Sequence, residues 1–177
     1  MVDVIGGKAG AHELLEQVGF LVRALGRAEA GERVASVAAL LEGIGSAAVS
    51  APFRAAEDAD VIVVIGANPT ENHPVAATYF RQAARRGAKL IVMDPRGTAL
   101  MRYATHRLSF TPGRDVAMLK AILHTIINED LYNRSYVEAH TTDFDKLAEG
   151  VKDYAPEVMA EVCGISAPVL RDVARLY

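Results

Sequence analysis

A single cysteine, Cys163, occurs in 177 residues, which excludes an internal disulfide and any metal or iron–sulfur site built on paired cysteines. Long apolar runs are missing too. No stretch is long enough to span a bilayer, and no basic n-region followed by an apolar h-region opens the chain. Membrane insertion is therefore not expected, and the expected compartment is the cytoplasm unless a partner carries the subunit elsewhere. Aromatic residues make up only 6% and the net charge is −3, a balance that argues against a nucleic-acid partner, whose surface calls for clustered basic charge. The sequence also lacks the Gly-x-Gly-x-x-Gly fingerprint, a Gly-x-Ser-x-Gly elbow and any cluster at metal-ligand spacing. No repeat or low-complexity tract is evident.

What is there is apolar material for a packed core. With 51% hydrophobic residues, the chain suits one α/β domain over residues 1–177. Its organising stretch is Asp60-Val-Ile-Val-Val-Ile-Gly-Ala-Asn-Pro-Thr-Glu-Asn-His-Pro74. The β-branched run 61–65 predicts a strand buried on both faces, as in a parallel sheet. Gly66 ends it and a polar loop follows over 67–73. Pro74 suits the first position of a helix that continues over 75–86 and is closed by Gly87. Lys89-Leu-Ile-Val-Met-Asp94 reads as a second buried strand, so that strand, loop, helix and strand make one right-handed βαβ crossover. Open sheets of this kind bind ligands at the carboxyl ends of their strands. Loops 67–73 and 94–96 are therefore expected side by side, as a ligand crevice.

Val2-Asp-Val-Ile5 is also strand-like. Gly6-Gly-Lys-Ala-Gly10 has the composition of a phosphate cradle without the Gly-Lys-Ser/Thr spacing, which favours a plain turn with a solvated lysine. A helical stripe follows over 12–25. Residues 31–34 read as a breaker and short strand, 36–42 as a helix, 46–52 as a small-residue loop and 53–58 as a short helix or turn. Further on, 98–103 predicts a short helix and 106–110 a third strand, less apolar and nearer an edge. Residues 111–115 form a loop whose Asp115 caps the helix 116–128. Short amphipathic helices are then predicted over 134–140, 143–154, 156–163 and 166–177, with Asn133, Thr142 and Ser166 before them as caps. The sheet part covers about 1–128 and the helical tail about 129–177. The last helix reaches Tyr177 with no stop signal, as in a chain cut at a helix end.

Chemistry concentrates in the crevice loops. Asn68, Thr70, Glu71 and Asn72 project from the first. A diphosphate there would be held by backbone N–H groups and the start of the next helix, with Asn and Thr as neutral donors. Glu71 would repel a phosphate and suits a ribose or purine edge. Alternatively Thr70, Glu71 and Asn72 cap the helix, and for Asn72 both readings are open. Asp94, ending a buried strand, stands where a carboxylate accepts hydrogen bonds from a nucleotide. Arg96 adds a fork donor to the same pocket, and a plain Asp94–Arg96 turn is the competing reading. Arg114 and Asp115, after Gly113, extend the rim. His73 and His106 read as capping or packing residues, and Cys163 as a buried thiol.

Three ordered motifs go further: Ala59-Asp-Val-Ile-Val-Val-Ile-Gly-Ala-Asn-Pro-Thr-Glu-Asn-His-Pro74, Arg85-Arg-Gly-Ala-Lys-Leu-Ile-Val-Met-Asp-Pro-Arg96 and Thr111-Pro-Gly-Arg-Asp115. With Ile126-Ile-Asn-Glu-Asp-Leu-Tyr132, Tyr154-Ala-Pro-Glu157 and Cys163-Gly-Ile-Ser166 in the tail, the chain resembles the molybdopterin oxidoreductases, especially catalytic (alpha) subunits of formate dehydrogenases. The likeness covers about residues 33–177. It implies a Rossmann-like open parallel sheet flanked by helices, binding the guanosine diphosphate part of molybdopterin guanine dinucleotide. Carried over by position, Gly66, Ala67, Asn68, Glu71 and Asn72 contact the phosphate and ribose. Met93, Asp94 and Arg96 surround the guanosine, and Gly113 and Asp115 close the pocket.

Two features of the resembling family are missing. Its molybdenum-ligating cysteine or selenocysteine, followed by histidine, has no counterpart where this chain runs Glu32-Arg-Val-Ala-Ser-Val37, and the N-terminal iron–sulfur cysteines are absent. The resemblance thus implies a fragment or stand-alone domain that binds the nucleotide, is not catalytic alone and partners other domains or subunits of a molybdoenzyme. Two other expectations compete with it. One is a cofactor-free structural domain of this fold, as in the large iron–sulfur subunit of NADH–quinone oxidoreductase. The other is the cofactor-binding middle domain of thiamine-diphosphate enzymes. A domain excised from a larger fold is also expected to expose an apolar patch and to form homo-oligomers through it.

Overall fold

The computed structural model describes Val2–Ile5 and residues 52–177; the elements expected within 6–51 lie outside the described residues. Four strands form one sheet in the order β1 (Val2–Ile5), β2 (Val61–Ile65), β3 (Lys89–Met93) and β4 (His106–Leu108). β2, β3 and β4 are parallel, with Ile65 opposite Met93 and Met93 opposite Leu108. β1 joins the other side of β2 antiparallel, with Val2 opposite Val64, a direction that a short apolar strand does not encode. Among the described residues the helices are α1 (Pro69–Asn72), α2 (Pro74–Arg86), α3 (Asp115–Asn128), α4 (Arg134–His140), α5 (Phe144–Gly150), α6 (Pro156–Cys163) and α7 (Ala167–Leu176). Two 3₁₀ turns, Phe53–Glu57 and Ala99–Tyr103, complete them.

Alternation along the strands divides the core into two layers. Ile62 and Val64 of β2 and Leu90 and Val92 of β3 pack with Phe80, Ala83 and Leu100 beneath α2 and the 3₁₀ turns. Ile91, Met93 and Leu108 face the other way, onto Met118, Ile122, Cys163 and Leu170 of α3, α6 and α7. The complete burial expected of β2 holds on one face only. Val61, Val63 and Ile65 are half-buried and pack against the edge of the other layer.

Helix ends follow the local chemistry in most places. Pro74 opens α2, and Gly87, at φ 112°, closes it. The Ala88 N–H donates to the Ala83 carbonyl at 3.1 Å and the Gly87 N–H to that of Ala84 at 3.2 Å, the Schellman pattern. Asn133 caps α4 by accepting from the Tyr136 N–H at 3.1 Å. Three expected caps differ. Arg114 occupies the position before α3, so Asp115 begins the helix and makes no capping bond. Asp143, at φ 61°, precedes α5 in place of Thr142, and Ser166 precedes α7 without a side-chain bond. α5 also stops at Gly150, well short of residue 154, where Val151 turns inward onto Leu123.

α7 buries Leu170, Val173 and Ala174 and is clamped at two points. Arg175 donates to both oxygens of Glu129, at 2.7 and 2.9 Å, and Arg171 pairs with Glu157. No helix among the described residues is long and apolar enough to cross a membrane.

Phe80, fully buried between β2, β3 and the Ala99–Tyr103 turn, fills the layer beneath α2. Phe80→Ala should lower the stability read by urea unfolding by about 3–5 kcal/mol. The clamps on α7 predict an acid dependence. Hydrogen bonds from Arg175 and Arg171 hold Glu129 and Glu157 below the ordinary glutamate value. Their stabilisation is present above the unfolded carboxylate pKa and is lost as pH falls through the lowered folded values. The thermal midpoint should therefore drop on acidification below the usual glutamate range, and drop less in Arg175→Gln.

Candidate functional site

The candidate site lies where β2 and β3 end. Gly66, at φ 59°, turns the chain out of β2 while its N–H still donates to the Met93 carbonyl at 2.9 Å. The loops that follow the two strands therefore leave from adjacent points. The Asp94 N–H donates to the Leu108 carbonyl at 3.2 Å, which carries the same edge across to β4.

The first loop is more ordered than a polar loop. Pro69–Asn72 winds into α1, and the Glu71 and Asn72 N–H groups both donate to the Asn68 carbonyl at 3.0 Å. Thr70 Oγ1 donates to Asn68 Oδ1. None of Thr70, Glu71 and Asn72 caps α2; the residue before it is His73, which makes no side-chain cap bond. Glu71 and Asn72 are exposed, Asn68 and Thr70 half-buried, and Ala67 packs against the core beneath α2. His73 rests its ring against Phe53, with centroids 6.1 Å apart.

In the second loop the acid is inside and the base outside. Asp94 is 1% exposed. Its Oδ1 accepts from the Arg96 N–H at 2.8 Å and from Arg96 Nε at 3.3 Å. The Arg96 side chain is 75% exposed, so the buried carboxylate holds a guanidinium at the rim. The hydrogen bond to Asp94 raises the Arg96 pKa above its ordinary value, and the charge of Glu71 adds to this. Met93 keeps its side chain in the core and lends its backbone to the crevice.

The third loop, Thr111 to Arg114, is exposed, with Gly113 at φ 76° and Asp115 half-buried in the first turn of α3. Thr98, on the loop after β3, was not singled out in the sequence. It is buried, and its Oγ1 has no hydrogen-bond partner. Nothing in the sequence marks it, because a Thr before a short helix reads as an ordinary cap. Cys163 is fully buried, and His106 keeps a buried Nδ1 without a partner. Among the described residues no group of three or more His, Cys, Asp or Glu converges to hold a metal. A cavity of about 470 Å³ opens at the opposite, amino end of the strands, lined by Asp58, Asp60, Arg86, Lys89 and Leu176 among others. None of the sequence-predicted site residues lines it.

Comparison with known proteins identifies the family. The family described as Molybdopterin oxidoreductase matches residues 13–157. Formate dehydrogenase H of Escherichia coli (strain K12) is 36% identical over 142 residues, 80% of this chain and 20% of that protein. The F420-dependent formate dehydrogenase subunit alpha of Methanocaldococcus jannaschii is 34% identical over 143 residues, 81% of this chain and 21% of that one. The chain thus spans about a fifth of the length of these curated relatives. Among solved structures, Acetylene Hydratase from Pelobacter acetylenicus superposes with a TM-score of 0.63 at 33% identity, covering 67% of this chain and 16% of that chain. With a family match over most of its length and strand-tip loops in the arrangement described, the chain belongs to the molybdopterin oxidoreductase family.

Proposed function

We propose that this chain is one domain, residues 1–177, of a formate-dehydrogenase-like molybdoenzyme, and that its crevice binds the guanosine diphosphate part of molybdopterin guanine dinucleotide. The observation that carries this reading is the Asp94–Arg96 arrangement, a buried carboxylate presenting an exposed guanidinium at a strand tip. The side chains present fit a nucleoside diphosphate. Arg96 and Arg114 are exposed cations for phosphate oxygens, and Asn68 and Asn72 are neutral donors. Thr98 offers a buried hydroxyl that lacks a partner. Glu71 suits a ribose hydroxyl or the donor edge of guanine and not a phosphate. When bound, the pterin end of the dinucleotide supplies the redox chemistry. This chain's own part is to bind and orient the nucleotide end, and the sequence carries no cysteine at the position of the family's molybdenum ligand.

The second reading is a cofactor-free structural domain. One observation favours it: the Asp94 carboxylate is buried and already accepts two hydrogen bonds from Arg96. Calorimetric titration with GDP separates the two. Saturable binding is expected, weakened about 10- to 100-fold in Asp94→Ala, the loss that goes with one charged hydrogen bond. Absence of any heat of binding in the unmodified chain would sink the nucleotide reading. The partners we propose are the remaining domains or subunits of the same enzyme. Val158 and Val162, 57% and 37% exposed one turn apart on α6, form an apolar stripe suited to such a neighbour. On its own the chain should self-associate through that stripe, and a strictly monomeric sedimentation profile at high concentration would contradict this.

A further inference from the structure

The helical tail meets the loop after β4 at Thr111. α6 ends in a left-handed cap at Gly164, φ 76°, whose N–H donates to the Ala160 carbonyl at 2.9 Å. This closure leaves the Cys163 carbonyl without a partner in its own helix, and the Thr111 N–H donates to it at 2.8 Å. A Cβ at position 164 would lie 2.9 Å from Thr111 Oγ1. Glycine is favoured there by its φ, and a Cβ would in addition crowd the Thr111 hydroxyl.

Thr111 opens the turn Thr111-Pro112-Gly113-Arg114, which the Arg114 N–H closes by donating to the Thr111 carbonyl at 3.0 Å. Proline second and a glycine at φ 76° third make the type II pattern, a turn stiff within itself and oriented by its two ends. One end runs into α3, where the Met118 N–H donates to the Arg114 carbonyl at 3.1 Å. The other is Thr111 on the Cys163 carbonyl, backed by Phe110, which is buried in the same cluster as Cys163 and Ile165.

We propose that the end of α6, the Cys163 carbonyl together with Gly164, is the positioning element of this turn and sets how Gly113 and Arg114 meet a nucleotide in the crevice. The inference rests on the nucleotide reading above. Cys163 and Gly164 touch no ligand in this scheme and act through Thr111.

Gly164→Asn tests it, because asparagine tolerates the left-handed cap while its Cβ meets Thr111 Oγ1. GDP affinity in the full chain should fall about three- to tenfold, as for a binding group displaced by a distant change. Adding Thr111→Ala, which removes the obstructing hydroxyl, should restore it. Gly164→Asp, the other residue type that tolerates a left-handed cap, repeats the test should the asparagine variant not fold. Unchanged GDP affinity, or a loss that Thr111→Ala does not relieve, would overturn the proposal. If the unmodified chain binds no GDP, the nucleotide reading fails, and amide hydrogen exchange at 111–118 decides the positioning role. Faster exchange in Gly164→Asn that is reset by Thr111→Ala supports it, and unaltered exchange overturns it.

Discussion

Parallel pairing of β2 with β3 in a single register is the constraint on which the rest of the structure depends. A slip of one residue would send Ile62 and Val64 to the face that holds Val61, Val63 and Ile65 and would expose the wrong set. Ile62, Val64, Leu90 and Val92 are fully buried in one layer, so the slip is costly and the register is held. Once it is held, the last residues of the two strands are opposite each other. Gly66 and Asp94 then leave the sheet side by side, with the Gly66 N–H still bonded to Met93. The adjacency of the two loops is a consequence of core packing, and no interaction within the loops is needed to create it.

The loops nevertheless organise themselves once placed. The first spends its Asn68 carbonyl on two N–H groups of α1, so its polar side chains hang from a short rigid helix. In the second, Asp94 satisfies the Arg96 backbone and steadies its guanidinium. The local Asp94–Arg96 turn that the sequence left open is formed. Burying a carboxylate is costly unless it is paired and hydrogen-bonded, and Arg96 provides both while keeping its own charge at the surface.

The tail is not a passive extension. α7 packs its apolar stripe beside α3 and α6 and is clamped to Glu129 and Glu157 by Arg175 and Arg171, while α6 meets the third crevice loop through Cys163 and Thr111. In a family whose matched members are about five times longer than this chain, the helices that brace the rim thus come with the sheet on one continuous segment.

Elements whose signal is local were legible. The β-branched run of β2, Pro74 and Gly87 around α2, and the apolar period of α3 each state their own conformation, because backbone preference and burial agree there. Loop detail was less legible. The one-turn helix after Asn68, the shift of the α3 start to Asp115 and the early end of α5 depend on which backbone groups find partners in three dimensions. Glu71, Asp94 and Arg96 could be picked out by residue type and position. The burial of Asp94 and the orphaned hydroxyl of Thr98 could not, since burial belongs to the packed whole. By itself, then, the sequence determined the family and, among the described residues, the strands and helices, and it nominated the strand-tip candidates, all from periodicity and ordered motifs. Only the tertiary structure decided the direction of β1, which of Asp94 and Arg96 faces solvent, and the contact of Gly164 with Thr111. Those outcomes depend on distances between residues far apart in the chain, which one-dimensional patterns do not carry.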